Sequence, residues 1–437
     1  MTKPQDTRMG LWMTTALVIG SIIGSAIFLL PVSLAPLGLN AVIAWLVSGV
    51  GALAIAFSLA RIARGGAGIQ AYIEDAFGPT VGYLVTFSFW CSNWAAAAAL
   101  AISTASAIAW LNPNLQTSAF IIPAAVGSVV LLSLVNARGA RAAGGLGIVT
   151  VLIKILPLLG VILAAALSGA HGELRGELAK MPVGLAGLGT AVALTLYALT
   201  GFENATALVG KVRDPTRILP IALIGGTLFV VLLYLISSTS LLLVLTQGEI
   251  TASTAPFADA IDHQWGNGPA LLAISAIAVS AFGGLNAMIL GTGELAYSMA
   301  LRGDIPAIFA RTRAGNTPVL AQWLGAALAS LLIVANATRA TASLFTFVIL
   351  LSTAAILVLY LVGCVAAWKH SRPAERPIIV LAIGFSLFAL WGAGAEANAW
   401  GVVLLAVGYA LRFFLRRISL TSGSTLPEGA IPAAPLE

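Results

Sequence analysis

The sequence predicts an all-α membrane protein of twelve transmembrane helices, arranged as two five-helix repeats of opposite orientation followed by two further helices. Three observations carry this expectation. Of the 437 residues, 59% are hydrophobic and 9% are charged, with a mean hydropathy of +1.00, whereas soluble domains carry about 25% charged residues. Apolar stretches of about 20 residues, each able to cross a hydrocarbon core of about 30 Å, recur from residue 10 to residue 416. Two of these stretches, five spans apart, are interrupted by glycine and small or polar residues. That spacing fits a pair of inverted halves, each opening with a discontinuous helix.

Taken in order, the apolar runs place spans at 10–36, 39–60, 80–111, 119–136, 146–168, 185–210, 218–246, 268–300, 318–336, 342–367, 378–394 and 398–415. The repeats then cover about 10–168 and 185–367, with the extra helices at about 378–415. No stretch remains for a separate soluble domain, so residues 1–417 are expected to form one transmembrane domain. Residues 418–437 are rich in Ser, Gly, Pro and Ala without a hydrophobic period, and are expected to be a disordered cytoplasmic tail. Lys3 and Arg8 precede the first span, but no cleavage signature follows it, so it is read as retained.

The short loops set the orientation. With both termini cytoplasmic, inner segments hold basic residues such as Arg61, Arg64, Arg138, Arg141, Lys211, Arg302, Arg311 and Lys369, and only Arg175, Lys180 and Arg339 fall outside. This is a strong positive-inside asymmetry, and it supports an even number of spans. It also explains the net charge of +6 without a nucleic-acid partner, because the basic residues are dispersed between spans.

Other function classes find little support. His171, His263 and His370 all fall in loops, and the chain has no His-Glu-x-x-His or Cys/His cluster, so neither an intramembrane enzyme nor a metal or other cofactor is expected. A channel would show a selectivity-filter segment or rings of charge. Cys91 and Cys364 lie within spans and are expected to be free, buried thiols.

In the first span the fragment GSIIGSAIFLLP places Gly24-Ser25-Ala26 in an otherwise apolar run. Small residues with Gly lower helix propensity where no water can satisfy freed backbone groups, which points to a break lining a cavity. In the sixth span TLYALTGFENAT carries a second interruption, with Gly201 beside Thr200, Glu203 and Asn204. Close helix packing through small residues is the competing explanation for either cluster alone.

These fragments, with GGAGIQAYIEDAFGP before the third span, GFENATALVGKVRDPTRILPIALIGG across the sixth, and LNAMILGTGELAYSMALRGDIPAIFARTRAGNTPVLA from the eighth into the ninth, resemble the amino acid/polyamine/organocation transporter superfamily. The likeness covers nearly the whole chain and is strongest to its arginine/agmatine antiporters and related amino acid permeases. It implies a LeuT-like fold and alternating access about a central site. The expected protein is an amino acid carrier of the bacterial inner membrane. It would be sodium-independent, acting as exchanger or proton-coupled permease, with cationic amino acid or polyamine antiport and amino acid export as alternatives. Besides the amino acid and the lipid bilayer, a second copy in a homodimer is compatible with this resemblance.

An amino acid zwitterion needs donors for its carboxylate and acceptors for its ammonium, and broken helices supply both. The carboxylate is assigned to the backbone of Gly24, Ser25, Ala26 and Ile27 with the Ser25 hydroxyl, although that hydroxyl could instead bond its own helix. The ammonium is assigned to carbonyls near Ile22 and Ile23 and near Tyr197, Ala198, Thr200 and Gly201. By the resemblance, Tyr197 stands where the antiporters place a gating Trp, and Ser92, Asn93 and Ala97 occupy the region of the substrate's distal group. Met288, Ser352 and Thr353 complete the expected rim. Ala26, Ala97 and Met288 depart from the antiporter pattern, so the side chain of the substrate stays open.

Three ionisable residues lie within spans, where each costs about 2.5 to 3.5 kcal/mol on insertion scales. Lys154, in TVLIKILPLLG, stands where sodium-independent members of the resembled superfamily place an amine, and either replaces a sodium ion or carries a proton; snorkelling is the alternative. Glu203 either couples the pocket to the gating helix or caps a half-helix at Asn204 to Thr206. Glu294 departs from the family pattern and is expected to pair with an inner-face arginine.

Overall fold

A computed structural model describes residues 9–24, 26–63, 68–137, 147–176, 182–203, 212–312, 317–369 and 371–421. With water absent from a hydrocarbon core, every backbone polar group must bond within its own segment, and helices are the solution for runs of this apolarity. The described elements are helices, with no strand beyond an isolated bridge between Met9 and Val212.

The first span is two helices, α1 (Leu11–Ile22) and α2 (Ala26–Leu34), in a pair bent by 45°. Helix α3 (Leu39–Ala63) crosses back to the amphipathic α4 (Gly68–Phe77), and α5 (Pro79–Trp110), α6 (Ser118–Asn136) and α7 (Gly147–His171) complete the first half. The second half opens with α8 (Leu185–Leu199) and continues through α9 (Pro215–Val244). Two short helices, α10 (Gln247–Ala252) and α11 (Pro256–Trp265), then lead into α12 (Asn267–Leu301), α13 (Val319–Ala335) and α14 (Thr341–Lys369). The last two helices are α15 (Arg376–Gly392) and α16 (Gly394–Thr421). Residues 422–437 lie outside the described part.

Among the described residues nine helices are long and apolar enough to cross a membrane, and the bent α1–α2 pair makes a tenth. This is fewer than the twelve expected. The sixth and ninth expected spans correspond to α8 and α13, of 15 and 17 residues. At about 1.5 Å per residue these fall short of a core of about 30 Å. Helix α8 is short because the chain leaves helical geometry at Thr200, and residues 204–210, which the sequence assigned to the same span, are outside the described part.

Helix α5 is the axis of the bundle: its most apolar stretch is 89% buried, against 11% for α16 at the rim. The run Ala95 to Ala99 is buried throughout, and side chains this small let neighbouring backbones approach closely. Helices α2, α6, α12, α13, α14 and α16 all pack on α5. The end of α16 is pinned to it by Arg412, which meets Asp304 at 3.1 Å and donates to the Pro79 carbonyl at 2.6 Å. At the opposite end of the bundle α11 lies over α2 through an edge-on contact of Phe257 with Phe28, ring centres 5.5 Å apart. The Trp110 indole donates to Asp259 of α11 at 2.5 Å. Cys91 and Cys364 are both free and buried.

Candidate functional site

The first break is made by backbone. At Ile23 the chain turns to φ −69°, ψ 84°, so the α1 ladder stops and its last carbonyls need other donors. Ile19 receives the Ile23 N–H at 2.8 Å, and Ile22 receives the Gly24 N–H at 2.6 Å. The Tyr234 hydroxyl, from α9, adds a second donor to Ile22 at 3.4 Å. Lys154, half-buried on α7, donates to the Gly20 carbonyl at 3.4 Å, setting a cation at the negative end of the α1 dipole. Ser25 lies outside the described residues; Ala26 and Ile27 begin α2 and are buried, as are Ile22 and Ile23.

The second break is held by a carboxylate. Thr200 takes extended geometry at φ −69°, ψ 159°, and Gly201 follows at φ +119°, a region that favours glycine. Both oxygens of Glu203 accept from the Gly201 N–H, at 3.0 and 2.9 Å, and the Tyr360 hydroxyl of α14 donates to the same carboxylate at 2.7 Å. Phe202 stacks on the Tyr360 ring with centroids 5.4 Å apart. Asn204 to Thr206, the expected cap partners, are outside the described residues. The Tyr197 carbonyl accepts from Thr200 twice, from its N–H at 3.2 Å and its hydroxyl at 2.7 Å.

The two breaks meet. A Cβ built on Gly201 would run into the carbonyl of Ser21, one residue before the end of α1. Sequence spacing suggested a correspondence between the interruptions, and in three dimensions they lie in van der Waals contact.

The expected rim divides into two groups. Ser92 and Ser352 bond each other at 3.0 Å, and the Ser352 hydroxyl also donates to the Ser92 carbonyl at 2.9 Å. Thr353 donates to the carbonyls of Ile349 and Ala193. These hydroxyls join α5, α14 and α8 to one another. Asn93, Ala97, Tyr197 and Ala198 are buried, and Met288 is half-buried. Among them Asn93 stands out: only 9% exposed, it makes no hydrogen bond among the described residues. Its amide nitrogen lies 3.9 Å from where a Cβ on Gly291 of α12 would stand.

Glu294 does not follow expectation. It is exposed on α12 and has no ion pair with an arginine among the described residues. Sequence reasoning also missed Tyr234 and Tyr360, which supply donors to the two breaks from α9 and α14. The available signal was a phenol in an otherwise apolar span, since a buried Tyr hydroxyl usually finds a partner.

A cavity of about 600 Å³ opens beside the α2 and α8 halves, lined by Ser33, Thr190, Thr346, Arg339 and Glu396 among others. Ser33 and Thr346 bond at 2.6 Å across it, tying α2 to α14.

A family profile described as "Amino acid permease" matches residues 9–419. The putrescine transporter PotE of Haemophilus influenzae is 26% identical over 429 residues, covering 94% of this chain and 98% of that protein. PotE of Escherichia coli is 25% identical over 434 residues, with coverage of 94% and 97%. The arginine/agmatine antiporter of Chlamydia felis is 27% identical over 438 residues, with coverage of 92% and 88%.

Proposed function

The chain belongs to the amino acid permease family, and from that premise we propose a secondary active carrier that moves amino acids across the bacterial inner membrane by alternating access. The single observation that supports this reading best is the contact between the two broken helices at Gly201 and Ser21. A zwitterion at that junction meets N–H groups at the start of α2 and carbonyls at the ends of α1 and α8, so its two charges are matched by backbone of opposite polarity. Ser25 sits between the halves of the first span in sequence and is assigned to the substrate carboxylate with Gly24, Ala26 and Ile27. The ammonium is assigned to the carbonyls of Ile23, Ala198, Thr200 and Gly201, because those of Ile22 and Tyr197 each already accept two hydrogen bonds. Tyr197 acts as an aromatic gate.

Lys154 takes the position of a monovalent cation. Its amine bonds a carbonyl at the end of α1, where a sodium ion would otherwise neutralise the helix end, and this supports sodium-independent exchange or proton-coupled uptake. Both termini are assigned to the cytoplasm from the loop charges. A second reading, antiport of cationic amino acids or polyamines, is favoured by the names of the relatives, which act on putrescine, arginine and agmatine. Counterflow of labelled amino acids in proteoliposomes tests the carrier reading. Saturable exchange without sodium is expected; non-saturable flux would indicate a channel, and a strict sodium requirement would remove the role given to Lys154.

A further inference from the structure

Arg339 and Glu396 are the charged side chains that line the cavity of about 600 Å³ beside α2 and α8, and neither belongs to the junction of the broken helices. They stand just before α14 and in the first turn of α16. They bond as a two-pronged pair: one terminal guanidinium nitrogen makes a close contact with one carboxylate oxygen, and the other reaches the second oxygen at 3.5 Å. The guanidinium is also held from behind. Its Nε–H donates to Asn336 at 3.0 Å, and its carbon lies 4.5 Å from the centre of the Phe347 ring. The pair is nonetheless open, with side chains 34% and 54% exposed. An arginine fork carries more N–H groups than these contacts use, and each carboxylate oxygen keeps lone-pair sites. Both groups therefore have bonding capacity to spare in the cavity, whose lining adds the hydroxyls of Thr190 and Ser343.

The electrostatics of such a pair select its guest. A lone cation or anion is drawn to one member and repelled by the other, so its net gain is small. A molecule that holds both charges side by side sets each against its opposite and closes a ring of alternating charge, with charge-assisted hydrogen bonds at both ends. An α-amino acid is such a molecule, because its ammonium and carboxylate share one carbon. The cavity also lies on the way to the junction: Ser33 is on α2, seven residues beyond Ala26, which is about 10 Å along the helix. Thr190 is on α8, the helix that ends at the second break. We propose that this cavity is a second binding site, separate from the junction, which takes the main-chain charges of an amino acid with the carboxylate on Arg339 and the ammonium on Glu396. The site reads what all amino acids share and leaves their side chains unread. Its use as a waiting position for cargo rests on the carrier reading; the binding does not.

The test is local to the cavity. Ser343→Cys, in a full-length chain with Cys91 and Cys364 replaced by alanine, is purified in detergent and its reaction with a charged, water-soluble thiol reagent is timed. Glycine is the probe, being a zwitterion without a side chain. It should slow the reaction at least threefold, while acetate and methylamine at the same concentration should not. Protection should disappear in Arg339→Gln and in Glu396→Gln and return in part in Arg339→Lys, with the rate in the absence of glycine unchanged, which shows the cavity intact. It should persist in Gly201→Leu, where the junction is disrupted. Equal protection by acetate or methylamine, protection that survives Arg339→Gln, or protection lost in Gly201→Leu would each overturn the site. Wild-type counterflow in proteoliposomes decides the carrier reading separately. Protection without any exchange overturns the carrier and leaves the site; exchange without protection does the reverse.

Discussion

The two broken helices reach the same junction by different chemistry. The first break relies on backbone and on donors borrowed from elsewhere, with Lys154 and Tyr234 arriving from α7 and α9 to bond the terminal carbonyls of α1. The second carries its own acceptor, Glu203, two residues past the glycine that turns the chain. The carbonyl end of α1 is thus held from outside its span. The N–H of Gly201 is held from within, with Tyr360 fixing the carboxylate to α14. An alternating carrier needs a part that moves and a part it moves against. The comparison therefore suggests that the first span is released by breaking contacts with other helices, while the second break keeps its internal geometry.

The largest expected effect comes from the contact itself. Gly201→Leu places a side chain on a φ of +119° and against the Ser21 carbonyl. Backbone strain of about 1–3 kcal/mol adds to that collision, so substrate counterflow should be abolished while the protein still inserts. Retained exchange would mean that the breaks need not touch. Ser25→Leu should abolish transport equally, through the substrate carboxylate rather than through strain, and ligand-induced thermal stabilisation should vanish with it.

Next in size is Tyr360→Phe. It leaves Glu203 with one donor fewer inside the bundle, a loss of about 1–3 kcal/mol. The melting temperature should fall measurably, and Glu203→Gln should lose more transport than it loses stability. If Tyr360→Phe melts like wild type, the internal character of the second break is wrong. Lys154→Met removes the cation at the α1 end, worth up to about 2 kcal/mol in partly buried geometry. It should slow exchange severalfold, while wild-type exchange proceeds without sodium; a wild type dependent on sodium would erase the contrast between the breaks.

The smallest effect lies outside the membrane. Thr246 and Glu249 form a capping box at α10, next to α2, and Thr246→Ala should cost about 1 kcal/mol of local stability. The Thr246 N–H holds the Glu249 carboxyl below the usual carboxylate range, aided by Arg175. A depressed native pKa means the cap is complete above the unfolded value of about 4.3 and weakens as pH falls through the native one. Hydrogen exchange at α10 should accelerate on acidification, and not in Glu249→Gln, which has no carboxylate to protonate.

Much of the architecture was legible because hydrophobic length and positive-inside charge are local properties. The ten spans found among the described residues fall where the apolar runs are, and both interruptions were readable as glycine among small residues. The shortness of α8 was not, since a hydropathy run continues across Thr200 and Gly201 whether or not the helix does. Lys154 was legible as a charge out of place. Its acceptor, the Gly20 carbonyl, was not, because a backbone oxygen becomes available only after the helix has ended. Glu294 shows the converse: its charge suggested an arginine partner, and only its exposure on α12 reveals that it has none among the described residues.

The sequence by itself determined that this chain lives in a membrane, that it breaks two of its helices, and which ionisable groups it places at depth. These follow from composition and from the energetic cost of polar groups in hydrocarbon, which each segment meets alone. Only the tertiary structure decided that the breaks touch, that Tyr360 from 157 residues away secures Glu203, and that Ser92 and Ser352 join helices to each other. Such pairings depend on which helix faces lie together, and a bilayer that treats every apolar face alike leaves that choice to packing and hydrogen bonding between distant segments.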